Sequence, residues 1–274
     1  MKKYISVFLL ILLASASVFA QTRETRNVSG FTKVAFRAPG KFYLRQGTTT
    51  KVEIEGKKDL LDEIETAVEG TKLVIGKKGK WSNWKWDEDD RINVYITMPT
   101  IEALSVGGSG DLIAETRVHA QDLDLNVSGS GSMKIEVEVT GSLEADVSGS
   151  GDVIVKGKCK SFNSDVSGSG KVSLALTIDG LADFGISGSG KIEASGTANA
   201  VKTSISGSGK VLAVDLETNT CDVRISGSGD VEISVKEALD ASITGSGSVS
   251  YRGDPKKLNS HSAGSGRVRK INSI

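Results

Sequence analysis

Apolar and polar residues alternate along most of the chain, in short runs separated by glycine and serine. Before one such break, Leu123, Leu125 and Val127 alternate with Asp124 and Asn126. The same alternation resumes after the break and recurs in later segments. A period of two residues is typical of β-strands that bury one face. The pattern therefore predicts an all-β protein built from half-buried strands.

The breaks are copies of one motif, Val or Ile followed by Ser-Gly-Ser-Gly, with degenerate copies at both ends. The second serine of each copy lies at position 109, 130, 150, 169, 189, 208, 228, 246 or 265. One repeat of this length cannot bury its apolar side alone, whereas stacked repeats form one continuous core. We therefore predict a single parallel β-solenoid, or β-helix, of about nine coils, each roughly twenty residues long.

Glycine at the breaks has a structural explanation. A sharp corner needs a positive φ or a close approach of the next coil, and glycine provides both. The serine hydroxyls are expected to bond the local backbone or the serine above. We predict a structural corner role, with no ligand, for Gly129, Gly131, Gly149, Gly151, Gly168, Gly170, Gly188, Gly190, Gly207, Gly209, Gly227 and Gly229.

Three segments are predicted along the chain. Residues 1–20 read as a signal peptide, with a basic start, an apolar run and small residues before a cleavage site. Residues 21–100 read as degenerate coils that cap the solenoid, with a short helix or turn over Asp59–Glu69 in which Asp59 is the cap. Residues 101–274 are the regular repeats and form one domain with 21–100. No second apolar run has spanning length, so no transmembrane segment is expected in the mature chain.

Composition excludes several classes of protein. The chain has 274 residues and a formal net charge of zero, which argues against a nucleic-acid-binding protein. Its 32 glycines lack the period of collagen. The two cysteines, Cys159 and Cys221, are predicted to lie three coils apart in different columns. A disulfide needs Cα atoms within ~7 Å, so we expect two free, buried thiols.

Metal binding and catalysis find little support in the sequence. The residue after the corner is lysine in three consecutive coils, at positions 171, 191 and 210, which excludes a calcium ladder there. An outward column is predicted through Asp124, Glu144, Asn163, Asp183, Lys202, Asp222 and Asp240, flanked by Asp146 and Asp165, and we interpret it as a solvated face. Glycoside hydrolysis needs two carboxylates across a groove, and no long loops project to build one. We expect no enzyme, no cofactor and no metal site.

Two surfaces are candidates for binding. Trp81, Trp84 and Trp86 lie together in a charged loop and are either a ligand-binding cluster or a cover for the end of the solenoid. A second, less polar surface is predicted from outward residues that follow the corners and is a candidate oligomer face. Its members are Ile154, Ala175, Leu212 and Val214.

The recurring Val-Ser-Gly-Ser-Gly, the stretch Met98–Gly110 and the closing Val249–Pro255 resemble a known family, described as "putative auto-transporter adhesin, head GIN domain". The resemblance covers roughly Arg26 to Val268. It implies an exported bacterial β-solenoid, of a kind frequent among Bacteroidetes, with an adhesive role at the cell surface. It carries over no catalytic or binding residues.

The function predicted is an exported, non-enzymatic β-solenoid that serves as a cell-surface adhesin or scaffold. The periplasm, the outer-membrane surface and the extracellular space all remain open as its location. One alternative is a carbohydrate-binding or carbohydrate-active β-helix protein. Another is a periplasmic structural module that self-associates, as a homo-oligomer, through its ends or its apolar face. Glycans and surface proteins are the candidate partners, and nucleic acid is not.

Overall fold

A computed structural model describes residues 22–79 and 91–271. The predicted signal peptide therefore lies outside the described residues. The structure is nearly all β, with 75% strand and 3% helix, and forms a parallel β-solenoid of about eight turns. This confirms the predicted fold class. The nine corners delimit eight full turns, one fewer than the nine coils expected.

Two faces make up the regular solenoid, and each Gly-Ser-Gly corner joins one face to the other. The pre-corner face contains β8 (Ala103–Gly108), β11 (Leu123–Gly129), β13 (Ser142–Gly149), β15 (Ser161–Gly168) and β21 (Lys257–Gly264). The post-corner face contains β9 (Asp111–Ala114), β12 (Ser132–Val139), β14 (Asp152–Cys159), β20 (Ser248–Arg252) and β22 (Arg267–Lys270), with β10 (Val118–Ala120) beside it. Four long strands run along both faces: β16 (Lys171–Gly188), β17 (Lys191–Gly207), β18 (Lys210–Gly227) and β19 (Asp230–Gly245).

Neighbouring coils pair in parallel with their corner residues aligned. Val127 faces Val147, which in turn faces Val166, and Gly129, Gly149 and Gly168 are aligned in the same way. The recurring corner glycines therefore keep the pre-corner strands in register from β8 to β21.

The N-terminal part follows a different order. Its elements are β1 (Thr22–Thr25), β2 (Lys33–Arg37), β3 (Gly40–Gln46), β4 (Lys51–Gly56), α1 (Lys58–Glu63), β5 (Ile64–Glu69), β6 (Lys72–Lys77) and β7 (Ile92–Met98). The coil made by β2 and β3 pairs with β8 and β9 on one side and with β6 and β7 on the other. The coil of β2 and β3 thus lies one coil inside the end formed by β6 and β7, and the chain returns past it to β8 and β9.

Antiparallel strands extend this end. β4 pairs with β7, β1 with β4, and β5 with β6. The helix predicted over Asp59–Glu69 is shorter than expected: α1 ends at Glu63 and the following residues form β5. The predicted cap is wrong, because Lys57 is the N-cap residue and makes no side-chain capping bond. Pairing with β6 overrides the helical spacing of apolar residues in this segment.

The core is a set of stacked apolar columns. Phe162 and Phe184 lie in adjacent coils, with ring centroids 6.1 Å apart, and both are almost fully buried. Near the first end of the solenoid, Phe36 and Phe42 also pack against each other in the core, with ring centroids 5.9 Å apart. Among the described residues, no helical segment is long and apolar enough to cross a membrane.

Candidate functional site

The corner glycines are held in place by the backbone of the neighbouring coil. Gly149 has φ 112°, and a Cβ added there would lie 2.7 Å from the carbonyl oxygen of Gly129. A Cβ at Gly151 would lie 2.5 Å from Cγ1 of Val127. The first position needs a positive φ and the second needs room above a core side chain. The twelve corner glycines named from the sequence share this arrangement, which is consistent with turn chemistry and involves no side-chain donor.

The corner serines are exposed, as at Ser128 and Ser130, and form two rows along the solenoid. The expectation that their hydroxyls bond the backbone or one another is wrong: within the described chain, no hydroxyl of a serine in these corners forms a hydrogen bond. Backbone groups close the corner instead, since the N–H of Ser150 donates to the oxygen of Gly129 at 2.8 Å. A shallow groove of about 420 Å³ runs beside the rows near Arg224.

The tryptophan cluster is not placed by the structure. Trp81, Trp84 and Trp86 fall between residues 79 and 91, outside the described residues. Both the binding and the capping interpretation of this loop stay predictions.

The second surface named from the sequence forms a groove. Ile154, Ala175, Leu212 and Val214 line one depression of about 450 Å³ on the post-corner face, together with Leu174. We call this depression the apolar groove. Ile154 is 39% exposed, which makes it one of four large apolar side chains that stand in solvent among the described residues. The sequence placed these residues on one face, and the structure brings them together.

A β-bulge in β18 shapes the groove. Glu193 pairs with Leu212 but Ser195 pairs with Asp215, so β18 sets two residues, Ala213 and Val214, opposite one residue of β17. A bulge bends a strand and increases its local twist. The hydroxyl of Ser234 donates to the carbonyl oxygen of Val214 at 2.5 Å and so holds the bulge from the next coil.

Charged residues rim the apolar groove. Lys156, Asp215 and Glu232 lie at its margin. Glu193 accepts a hydrogen bond from Lys171, and that bond lowers the pKa of its carboxyl below the usual range. An apolar floor inside a charged rim is the general anatomy of a binding patch.

A second depression was missed by the sequence analysis. It has a volume of about 750 Å³ and lies where the N-terminal coils meet the regular ones, and we call it the polar cleft. Its lining includes Lys33, Gln46, residues 99–102, residues 119–122, Asp124, Glu138 and Thr140. The one signal in the sequence is the long, irregular spacing of 21 residues between the first two corners.

Gln46 joins the two walls of the polar cleft. Its side-chain Nε2 donates to the carbonyl oxygens of Pro99 at 3.0 Å and His119 at 2.9 Å. Its Oε1 accepts the backbone N–H of His119 at 2.8 Å. The Gln46 amide thus joins the two walls through two donated hydrogen bonds and one accepted one.

Most carboxylates of the polar cleft already have structural partners. Glu102 accepts a hydrogen bond from Thr32, and Asp122 accepts the backbone N–H of Ser142, both at 2.8 Å. The ammonium of Lys158 lies 2.9 Å from Glu138 and lowers the pKa of that carboxyl. A general acid needs the opposite shift, so Glu138 is unsuited to that role at neutral pH.

The predicted acidic column exists as a stack. Asp124 faces Glu144, Glu144 faces Asn163, and the column continues through Asp183, Lys202, Asp222 and Asp240. Burial, followed by the charge of Asp146, raises the pKa of Glu144. Further along, Lys202 lies 2.9 Å from Asp183 and compensates its charge. In the described part of the chain, no group of His, Cys, Asp or Glu has an arrangement that could hold a metal ion.

Both cysteines are free and buried, as predicted. Burial raises the pKa of each thiol to about 12. Cys159 belongs to the column of Ile178, whereas Cys221 belongs to the column of Val201 and Leu239. Neither thiol is suited to act as a nucleophile, because nucleophilic cysteines have lowered pKa values and are accessible.

Sequence comparison decides the family. The profile of the family described as "Putative auto-transporter adhesin, head GIN domain" matches residues 30–179 and 169–255. The chain belongs to this family. The resemblance noted from the motifs is thereby confirmed. A comparison with curated proteins finds no significant match.

Several solved structures share the fold. One, a "putative adhesin" from Parabacteroides merdae, is 21% identical, with 92% of this chain and 96% of that chain covered and a TM-score of 0.70. A "putative adhesin" from Parabacteroides distasonis is 20% identical over 93% and 98%, also at 0.70. A "Putative lipid binding protein" from Parabacteroides distasonis is 22% identical over 92% and 97%, at 0.69. At sequence identities of 20–22%, the similarity shows a shared fold and nothing about function.

Proposed function

We propose that this member of the head GIN family is an exported, non-enzymatic adhesin that holds its partner against the apolar groove. The observation that carries the proposal is the groove itself. Ile154, Ala175, Leu212 and Val214 interrupt a face that is otherwise charged and hydroxylated. Large exposed apolar positions with a charged rim mark interaction sites more often than chance surface positions do.

A rigid solenoid suits this role. The corner hydrogen bonds and parallel pairing repeat from coil to coil, so a partner meets a preformed surface and little ordering is needed. One solved structure with this fold is named a "Putative lipid binding protein", which suggests a lipid as a further ligand for an apolar groove. A partner protein inserting one apolar side chain would use the same floor.

The absence of catalysis is part of the proposal and is supported by the polar cleft. Its acids Glu102, Asp122 and Glu138 are bound to structural partners. Paired carboxylates in a groove were the feature that would have favoured a carbohydrate-active enzyme. With these bonds in place, the cleft is better suited to binding than to proton transfer.

Binding to bacterial or host cell surfaces tests the groove. We expect Ile154→Ser/Leu212→Ser to weaken binding by about tenfold or more, because anchors in a patch centre carry most of the binding energy. Leu181→Ser is the matched control, since Leu181 is 43% exposed but lies outside the groove. Equal binding by the two variants would refute the groove as the site. Vesicles and immobilised surface proteins, tested in parallel, separate a lipid from a protein partner.

A second candidate function is carbohydrate binding in the polar cleft. The cleft is preformed by Gln46, and its volume lies within the range of small-molecule sites. A glycan array tests this with Gln121→Ala/Asp124→Ala, and Asp240→Ala is the control because it lies in the same column several coils away. Loss of glycan binding in the first variant alone would support the cleft.

The tryptophans need their own variant. Trp81→Ala/Trp84→Ala/Trp86→Ala on the same array and in the cell assay tests the loop. Unchanged binding would remove these residues from the proposal.

A further inference from the structure

The pre-corner sheet has two edge strands, one at each end of the solenoid. Among the described residues, β5 pairs only with β6, and β21 pairs only with β19. Each of these strands therefore presents one side of its backbone N–H and C=O groups without a strand partner. An unpaired edge is a template for pairing with another chain.

The outermost elements at the two ends carry opposite charge. At the first end, β1, α1 and β5 contain two basic and six acidic residues, a net charge of −4. At the other end, β21 and β22 contain four basic residues and no acidic ones, a net charge of +4. The members are Arg23, Lys58, Glu24, Asp59, Asp62, Glu63, Glu65 and Glu69 at the first end, and Lys257, Arg267, Arg269 and Lys270 at the second.

The edge strands also carry two of the four large apolar side chains exposed in the described structure. Val68 on β5 is 36% exposed and Leu258 on β21 is 45% exposed. Val68 pairs in register with Leu73, and Leu258 with Leu239, and both of these partners are buried in the core. Since register partners share a face, Val68 and Leu258 mark the two open ends of the apolar core.

We propose that the protein self-associates head to tail, with β21 of one copy adding to the edge of β5 in the next. β5 runs antiparallel to the sheet, so the new pairing is antiparallel when the rods stack end to end. Glu65 and Glu69 then meet the basic end of the neighbour, and Val68 and Leu258 are covered. Two like ends repel, which disfavours closed end-to-end dimers.

A head-to-tail contact of this kind is heterologous. Unless its rotation closes a ring, it builds an open series of rods. The edge-strand addition is the same mode by which sheets recruit extended segments. The occupant of each free edge is thus a second copy of this chain, and the assembly is linear.

Charge-reversal variants test the contact. The tail variant, Lys257→Glu/Arg267→Glu, changes the end that carries β21 and β22. The head variant, Glu65→Lys/Glu69→Lys, changes the end that carries β5. Sedimentation velocity over a range of concentrations should show wild-type protein forming a series larger than a dimer. Association should weaken when salt rises from about 0.02 M to about 0.5 M, because these surface charges are screened. Each variant alone should associate about tenfold less, because its two edge strands, β5 and β21, now carry charge of the same sign.

Mixing the two variants gives the decisive result. The β21 edge of each variant is then opposite in charge to the β5 edge of the other, so the mixture should regain the wild-type distribution of assembly sizes. A single chain that carries all four substitutions should regain it too. Lys134→Glu/Lys160→Glu, on the exposed side of the rod and outside the apolar groove, is the control and should associate like wild type. Circular dichroism checks that each variant is folded. A wild-type protein that stays monomeric, or a dimer that both variants leave intact, would overturn the proposal.

Discussion

The carbonyl oxygen of Gly129 accepts the backbone N–H of Ser150 at 2.8 Å and lies 2.7 Å from the point where a Cβ on Gly149 would stand. The same oxygen therefore closes the corner of the next coil and forbids a side chain there. This relationship recurs at each regular corner, as between Gly168 and Gly188. It explains why the glycines, and not the serines, are the essential part of the motif.

Gly149→Ala should therefore lower the free energy of unfolding by about 3 kcal/mol, because alanine tolerates neither the positive φ nor the contact. Ser148→Ala at the same corner should change it by less than about 0.5 kcal/mol, since the serine is exposed. Urea unfolding followed by circular dichroism measures both. Similar effects of the two substitutions would contradict the account of the corner.

Register along the solenoid could be predicted from sequence because the recurring corner motif aligns the strands on either side of it. The column from Asp124 to Asp240 was derived in this way, and the pairing matches it residue by residue. Corner spacing even carried a signal for the bulge: β18 lies in a repeat of 20 residues between repeats of 19 and 18. The longer spacing predicts one additional residue in this repeat, but it does not predict the position of the bulge within the strand.

The N-terminal arrangement could not be predicted in this way. β6 and β7 lie outside β2 and β3, although they follow them in sequence. This order depends on antiparallel pairing between segments without a shared motif, such as β4 with β7. The polar cleft arises at this junction and was missed for the same reason, since Gln46 and His119 are 73 residues apart.

Two hydroxyls in one buried column should respond to substitution in opposite ways. Thr203 is 1% exposed and its Oγ1 has no hydrogen-bond partner in the described structure, whereas Ser164 donates to the carbonyl oxygen of Ala145 at 2.6 Å. Thr203→Val should raise the free energy of unfolding by about 1 kcal/mol, because it removes an unsatisfied polar group. Ser164→Ala should lower it by about 1 kcal/mol. Denaturation midpoints test both, and a less stable Thr203→Val protein would refute the prediction.

The clustered acids should make stability depend on pH. Burial raises the pKa of Asp146 and of Glu144, so the folded state binds protons more tightly than the unfolded state. The resulting stabilisation is present at low pH and is lost as pH rises through the raised values. Asp146→Asn keeps an oxygen for the N–H of Asp165 and should gain about 0.5 kcal/mol at pH 7 but nothing near pH 4.

Asp183→Asn is the matched comparison for that substitution. It lies in the same face but loses the ion pair with Lys202, so it should be neutral or slightly destabilising at pH 7. Unfolding curves at several pH values distinguish the two. Equal pH profiles for both variants would show that Asp146 is not strained by its surroundings.

The buried thiols should make the protein sensitive to alkaline pH. Burial raises the pKa of Cys159 and Cys221 to about 12, above the ordinary value of about 8.5. Thiolate formation is therefore favoured in the unfolded chain, and the stabilisation by buried neutral thiols is lost as pH rises from about 9 toward 12. Cys159→Ala/Cys221→Ala should lose less stability over this window than wild type, whatever its stability at pH 7.

In the native state a thiol reagent at pH 8 should modify neither cysteine, and both should react once urea unfolds the chain. Rapid modification of the folded protein would show that the thiols are accessible and would remove the basis of the pH effect.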